Sequence, residues 1–283
     1  MQKLGIDFCG DTRRVARVET STGSVEVTAL HEISSGEPIS PLSQAGLPVT
    51  IAVPDNQAIV RVVQTAAVDL SLGESAARFE AAVALVSQDS FVRTTVEQIA
   101  LPGTTGRWLT SSVHETVLVE LTSRALAGHP QSNQVAFITR SVALGRGYLQ
   151  ACETPENPCV VVIQPTVHST AICFLSQSAI VGTAQLRGID TTAADPGDGE
   201  CARWISELEM IVKYRLGSDL ALFYGGAVPA LILAAEVETV NRLSAISPVV
   251  FAPVSIKADL KSRSDSTTPL TPEWLIPIGA AFN

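Results

Sequence analysis

LGIDFCGDTRRVARVE, residues Leu4–Glu19, is the stretch on which the fold turns. Apolar and polar residues alternate through Lys3–Cys9 and again through Arg14–Thr20, the period of a strand with one face buried. Between them Gly10-Asp11-Thr12 has the composition of a turn, so the two runs read as a hairpin. Ser24–Ile33 comes next as a third strand after a Ser21–Gly23 turn. Much further on the plan returns, with strands at Cys159–Gln164, Thr170–Leu175 and Ala179–Gln185 and turns at Pro165–Ser169 and Ser176–Gln177. Two antiparallel meanders, each followed at a distance by helical material, predict two related lobes.

Between and after the meanders the spacing predicts the remaining elements. Ser34–Pro48, with three prolines and two glycines, reads as a linker. Val49–Ala52 and Ile59–Gln64 read as a strand pair across Pro54-Asp55-Asn56. Ser71–Gln88 has helical spacing, with Ala77, Ala81, Ala84 and Leu85 on one side. Thr94–Ala100 and Thr116–Leu118 read as strands, the second running into a helix that reaches about Ala127. Ala136–Ala151 reads as one helix, and Thr154–Pro158 as a hinge. Glu200–Leu216 is an amphipathic helix with Trp204, Leu208, Ile211 and Leu216 inward and Glu207, Lys213 and Arg215 outward. Asp219–Tyr224 reads as a strand, Gly225-Gly226-Ala227 as a tight turn, and Pro229–Leu243 as a helix with proline in its first turn. Val249–Val254 is a further strand, Lys257–Pro269 a polar loop, and Trp274–Phe282 an apolar end. The expected division is a first lobe from 1–48 and 131–153, a small α+β subdomain at 49–130 inserted in it, and a second lobe at 154–283.

Bulk composition narrows the function. The 283 residues hold 19 basic and 28 acidic side chains, a net charge of −9, with 46% hydrophobic and 17% charged residues. Such a chain folds around a substantial core. Its acidic balance excludes nucleic acid as a partner, since phosphate backbones need a basic footprint, and gives no basis for docking on an anionic bilayer. MQKLGIDF lacks the order of a signal peptide, and the uncharged stretch Leu220–Ala235 is shorter than the ~20 residues of a spanning helix. A cytoplasmic protein without a membrane span is expected. The five cysteines (Cys9, Cys152, Cys159, Cys173, Cys201) show no CxxC pair and read as reduced, mostly buried thiols. Cys152, Cys159 and His168 lack a fourth partner at useful spacing, so no metal site is expected. There is no GxSxG elbow, and His31, His114, His129 and His168 read as surface or turn residues.

A strand–turn–strand with an acid near the end of its first strand can hold a nucleotide. Turn N–H groups meet the phosphate oxygens, and the acid organises Mg²⁺ and its waters. Asp7, Gly10 and Thr12 are the candidates, and Gly225, Gly226 and Ala227 could let an adenosine approach the backbone. In these residues the chain resembles the actin-like ATPases, and most closely the PilM family of type IV pilus assembly. LGIDFCGDTRRVARVE resembles their first phosphate loop, VTIAVPDNQAIVRVVQ the start of their inserted subdomain, and SVALGRGYL the helix that returns to the first lobe. ELEMIVKY, LFYGGAVPAL and WLIPIGAAF resemble the later landmarks in the same order.

The resemblance implies an α/β, actin-like fold of duplicated ribonuclease H-like lobes, with ATP and Mg²⁺ as the ligands of any retained site. It further implies a scaffold at the inner membrane of a pilus or related secretion machine. Such a scaffold binds the cytoplasmic tail of a bitopic membrane partner, in a groove between the first lobe and the inserted subdomain, and ties it to a cytoplasmic assembly motor.

Departures from the family pattern weaken the nucleotide site. Cys9 stands where the family has glycine, and Asp11 adds a charge that at ~5 Å and an effective dielectric of ~20 costs about 3 kcal/mol against a bound phosphate. Gln164-Pro165-Thr166 replaces the second loop's Asp-x-Gly, removing a carboxylate and an N–H. GIDTTAADPGD shortens the helical excursion after Arg187, reducing the subdomain that would cover a nucleotide. No catalytic residue is expected. The alternative is an ATP-dependent small-molecule kinase or ATPase of the same fold.

Overall fold

The computed structural model describes all of the chain except residues 22–23, 35–36, 38–45, 67–68, 84–90, 102–105, 127–133, 154–155, 191–197, 259, 261–267 and 283. Most of the Ser34–Pro48 linker, the acidic loop after Asp190, His129 and much of the polar loop before Pro269 thus lie outside the described residues. Gln2–Cys9 (β1), Thr12–Ser21 (β2) and Ser24–Ser34 (β3) form the expected meander, with Gln2 opposite Glu19 and Cys9 opposite Thr12. The expected single buried face does not hold in β1: Leu4, Gly5, Ile6, Asp7 and Phe8 are all buried, because β1 is a central strand covered on both faces.

Val49–Val53 (β4) does not pair with the next strand in the chain. It lies parallel to β1, with Leu4 opposite Val49, because VTIAV is apolar on both faces and all five residues are buried, the pattern of a central parallel strand. Ala58–Gln64 (β5) instead belongs to a separate three-stranded sheet in the order β5, then Arg107–His114 (β7), then Val92–Gln98 (β6). Leu70–Val83 (α1) covers this sheet with Gly73, Ala77 and Ala81. Thr116–Leu118 is not a strand: it lies in helix α2 (Glu115–Ala125), and the strand is the preceding RWLTSSVH. The expected helix at Ala136–Ala151 also divides. Val135–Thr139 is strand β8, parallel to β4, and the helix α3 begins at Arg140 and runs to Ala151. Branched and aromatic residues favour the strand, and extended Thr139 starts the helix.

The second half repeats the first. Cys159–Pro165 (β9), Ser169–Ser176 (β10) and Ala179–Arg187 (β11) form the second meander, and Asp198–Gly217 (α4) buries Cys201, Trp204, Ile205, Leu208 and Val212. Around the glycine pair the expected order is reversed. Ala221–Tyr224 is a short helix (α5) ended by Gly225 at φ 56°, a left-handed cap that costs glycine nothing, and Gly226 at φ 82° then redirects the chain. The redirected chain enters the strand Ala230–Leu233 (β12), and only Val237–Ala245 (α6) is helical. A short apolar run fits the slot between β9 and Phe251–Pro253 (β13), with both of which it runs parallel.

The sheet orders β3-β2-β1-β4-β8 and β11-β10-β9-β12-β13 are the same plan twice, an antiparallel meander extended by two parallel strands. The last helix, Leu275–Ala281 (α7), is buried throughout and lies against α3 and β1. In exchange, α3 packs on β10 and β11 of the other lobe. Each half thus contributes a helix to the other's sheet. No helix among the described residues is long and apolar enough to cross a membrane.

Candidate functional site

The tips of the two meanders meet at a cleft between the lobes, of about 660 Å³. Its walls are Cys9, Thr12 and Arg14 on one side, and the Gln164–His168 turn, the start of α6 and Thr271–Glu273 on the other. This is where a phosphate loop would act.

Asp7 lies on β1, with its carboxylate 1% exposed. Both of its oxygens are occupied: Arg140 Nε donates to Oδ1 at 2.8 Å and Nη2 donates to Oδ2 at 3.0 Å. The Cys9 thiol also donates to Oδ2 at 3.4 Å. Burial, reinforced by the Asp7 charge, pushes Cys9 up to about 12, so it stays a neutral thiol. The third nitrogen of Arg140, Nη1, donates to Ser169 Oγ in the opposite lobe at 3.1 Å. Gly10 takes the left-handed conformation of the hairpin turn at φ 62°. A Cβ there would fall 2.3 Å from His168 Nε2, so the imidazole of the second turn rests on the first turn where a phosphate would have to lie. Thr12 Oγ1 donates within its own hairpin, to the Cys9 carbonyl at 3.0 Å.

The second turn is equally self-contained. Gln164 is buried and donates through Nε2 to the Pro272 carbonyl at 3.0 Å. The Thr166 N–H donates to the Ser169 carbonyl at 2.9 Å, and the Ser169 N–H to Thr166 Oγ1 at 3.2 Å. Gly225, Gly226 and Ala227 do not reach the cleft. They precede β12, whereas the cleft lies past its far end, where Ala234-Ala235-Glu236 enters α6. The residues that sequence order assigns to an adenosine therefore sit at the wrong end of the strand. In their stead Glu236 and Glu238, with Glu273, bring three carboxylates to a wall that also holds Arg242, opposite Arg14. Arg14 and Glu273 pair at 2.9 Å across the cleft. The donor set does not fit a Mg²⁺–nucleotide, since its acid is neutralised by a guanidinium, the Thr166 and Ser169 N–H groups of the second turn are engaged, and the segment after β12 is acidic.

Asp55 and Arg140 are functional candidates that the sequence pattern does not single out. Asp55 accepts from the Ser141 N–H at 3.1 Å and from Ser141 Oγ at 2.7 Å, capping α3 from outside the helix. Ser141 Oγ also accepts the N–H of Ile172 in the second lobe at 3.3 Å. Burial pushes Asp55 up to about 6, against the opposing pull of Ser141 and Arg140. A carboxyl raised on folding contributes stability that is complete below its unfolded pKa of 3.8 and is lost as pH rises through about 6. Between pH 5 and 7.5 the wild type should therefore lose about 1 kcal/mol relative to Asp55→Asn, which has no proton to release. Urea unfolding of both proteins across that range measures it, and a pH-independent difference would refute the shift.

A second concavity, of about 210 Å³, runs along β8 between the first sheet and the inserted subdomain. All five β8 residues line it, facing Thr94 and Thr95 of β6, Ser111 and Val113 of β7, and Leu118 of α2. Val135, Ala136 and Phe137 are half-buried, and Thr139 Oγ1 is buried without a hydrogen-bond partner among the described residues. The sequence hides this groove, because the residues that form it read as part of a helix. Cys152, Cys159 and His168 do not assemble into a metal site: His168 sits at the cleft, Cys152 and Cys159 are buried, and the described residues hold no cluster of three or more metal-ligating groups.

No protein-family model matches the chain, and no curated protein sequence matches it. Solved structures do. The chain is similar over its whole length to a structure described as the PilM–PilN type IV pilus biogenesis complex, with 15% identity, a TM-score of 0.63 and 98% of that chain covered. It is also similar to the cytoplasmic domain of EpsL, an inner-membrane component of the type II secretion system of Vibrio cholerae, with 12% identity, a TM-score of 0.53, 100% of this chain covered and 96% of that one. At these identities the likeness establishes the actin-like fold.

Proposed function

We propose that this protein is a cytoplasmic, non-hydrolysing scaffold of a type IV pilus or related secretion platform, peripheral to the inner membrane through its partners. In this reading the groove along β8 holds an extended cytoplasmic tail of a bitopic membrane protein. The groove carries the proposal: the last strand of a sheet, with three half-buried residues and an unpartnered hydroxyl, faces a second sheet across a concavity of about 210 Å³. Extended peptides bind such places through main-chain hydrogen bonds and alternate side-chain pockets. The inserted subdomain then serves as one jaw of the groove and the first lobe as the other. A fold shared with the PilM–PilN complex and with EpsL's cytoplasmic domain supports the setting. The second partner in this reading is a cytoplasmic assembly motor.

The test uses synthetic peptides covering the cytoplasmic tails of bitopic inner-membrane proteins encoded beside this gene, titrated by fluorescence anisotropy. One tail should bind, and Ala136→Arg, which places a long charged side chain in the slot, should weaken it at least about tenfold with the melting temperature unchanged. No binding by any tail up to about 500 μM overturns the reading. Steady phosphate release from Mg²⁺-ATP by the same preparation would replace it with an ATP-dependent kinase or ATPase.

A further inference from the structure

We infer that Arg140 is a resident cation buried beside the interlobe cleft, joining the two lobes and holding the Asp7 carboxylate that a metal-bound nucleotide would need. The guanidinium uses all three of its nitrogens at one crossing point. Two clasp the Asp7 carboxylate of the first lobe, and the third reaches Ser169 at the start of β10 in the second. Its side chain is 5% exposed and that of Asp7 1%. A divalent ion offered to Asp7 must displace a bidentate, water-excluded arginine, which is fixed by the backbone of α3 and does not diffuse away.

The neighbouring contacts repeat the theme. Ser141, the next residue of α3, joins Asp55 to the Ile172 N–H of the second lobe. His168 caps the first turn directly. In a fold whose ligand sits between lobes, ligand binding sets their spacing. Here the chain supplies that link itself, so the lobe arrangement is the same at every nucleotide concentration. The clamp is formed by Asp7, Arg140 and Ser169, none of which lines the peptide groove.

Hydrogen exchange of the full chain, with and without about 5 mM (above the KM range of most enzymes) Mg²⁺-ATP or Mg²⁺-ADP, tests it. Amides of β1 and β10 should exchange at the same rate in all three conditions, and the melting temperature should not move. Ser169→Ala removes only the interlobe arm of the arginine and leaves the Asp7 pair intact. It should speed exchange at the start of β10 by about tenfold, the loss of one hydrogen bond to a charged group. Arg140→Lys keeps the charge but not the fork and should speed exchange in both strands. Added nucleotide that slows exchange at the cleft or raises the melting temperature would overturn the inference. So would Ser169→Ala with wild-type exchange rates, whatever the outcome of the peptide titration.

Discussion

Gly147→Ala should destabilise the protein by about 3 kcal/mol or more, a large share of the ~5–15 kcal/mol that holds a domain folded. Gly147 lies on α3 where it crosses α7, and a Cβ there would fall 1.9 Å from the Leu275 carbonyl oxygen. Gly279 answers it from α7, its Cβ position 1.8 Å from the Ala143 carbonyl oxygen, and the Cβ position of Gly5 on β1 is 1.8 Å from the Pro277 carbonyl oxygen. In each case the obstacle is backbone, which no rotamer change can move aside. A single methyl must push the whole helix outward, and α7 has no exposed side on which to give way, since all seven of its residues are buried. Gly147→Ala and Gly279→Ala displace the same helix, so the double variant should cost less than the sum of the two. Gly199→Ala is the control: nothing lies within 4 Å of its Cβ position in α4, and alanine there should add up to about 1 kcal/mol. Urea midpoints of the four variants decide the matter, and a midpoint for Gly147→Ala near the wild type would show that α7 is seated loosely.

Arg13→Met should cost about 3 kcal/mol by a different route. Arg13 is on β2, wholly buried, and makes no ion pair among the described residues. Its guanidinium instead satisfies carbonyls. Nη1 donates to Arg124 at 2.8 Å and to Ala125 at 3.3 Å, the last turn of α2, while Nη2 donates to Ser34 at 3.1 Å and to Glu37. A positive group at a helix C-terminus meets both its unpaired carbonyls and its dipole. Methionine fills the volume but leaves four acceptors without this donor, and each hydrogen bond to a charged group carries about 1.5–3 kcal/mol before the recovered desolvation of the arginine is subtracted. Arg13→Lys should recover only part, since an ammonium cannot fork to both chain segments. Exchange of the α2 amides should accelerate in step with the loss of stability, and α2 protection that survives Arg13→Met would show that the cap is dispensable.

The parts of the fold legible in the sequence are those where neighbours in sequence are neighbours in space. Both meanders can be read because alternation such as Leu4, Ile6 and Phe8 is a local signal and short turns fix the pairing. The parallel strands cannot. VTIAV pairs with β1, and VAFIT pairs with a strand more than 80 positions earlier. Gly225-Gly226 is a turn in sequence and structure alike, but whether helix or strand comes after such a turn depends on which neighbour takes up the apolar run ALIL. At the cleft, Asp7 and the Gln164 turn are visible as types, and their roles are not. The partner of Asp7 is 133 residues away on α3, and no spacing rule links an acid on a strand to an arginine at the start of a distant helix. The one available sign is Arg140 itself, a charge at the edge of an otherwise apolar run.

The exchanged helices α3 and α7 also constrain the order of folding. The sheet of the first lobe is complete once β8 has formed, yet the helix that seals its inner face arrives only with residues 275–281. Until then the apolar side of β1 and β4 has no permanent cover, and α3 has nothing to hold it at its glycines. During synthesis the first lobe should therefore remain a protease-sensitive intermediate while the whole second lobe leaves the ribosome. A high contact order of this kind slows folding and lengthens the exposure to aggregation. The same arrangement makes the two halves a single cooperative unit, in which neither can melt and leave the other standing.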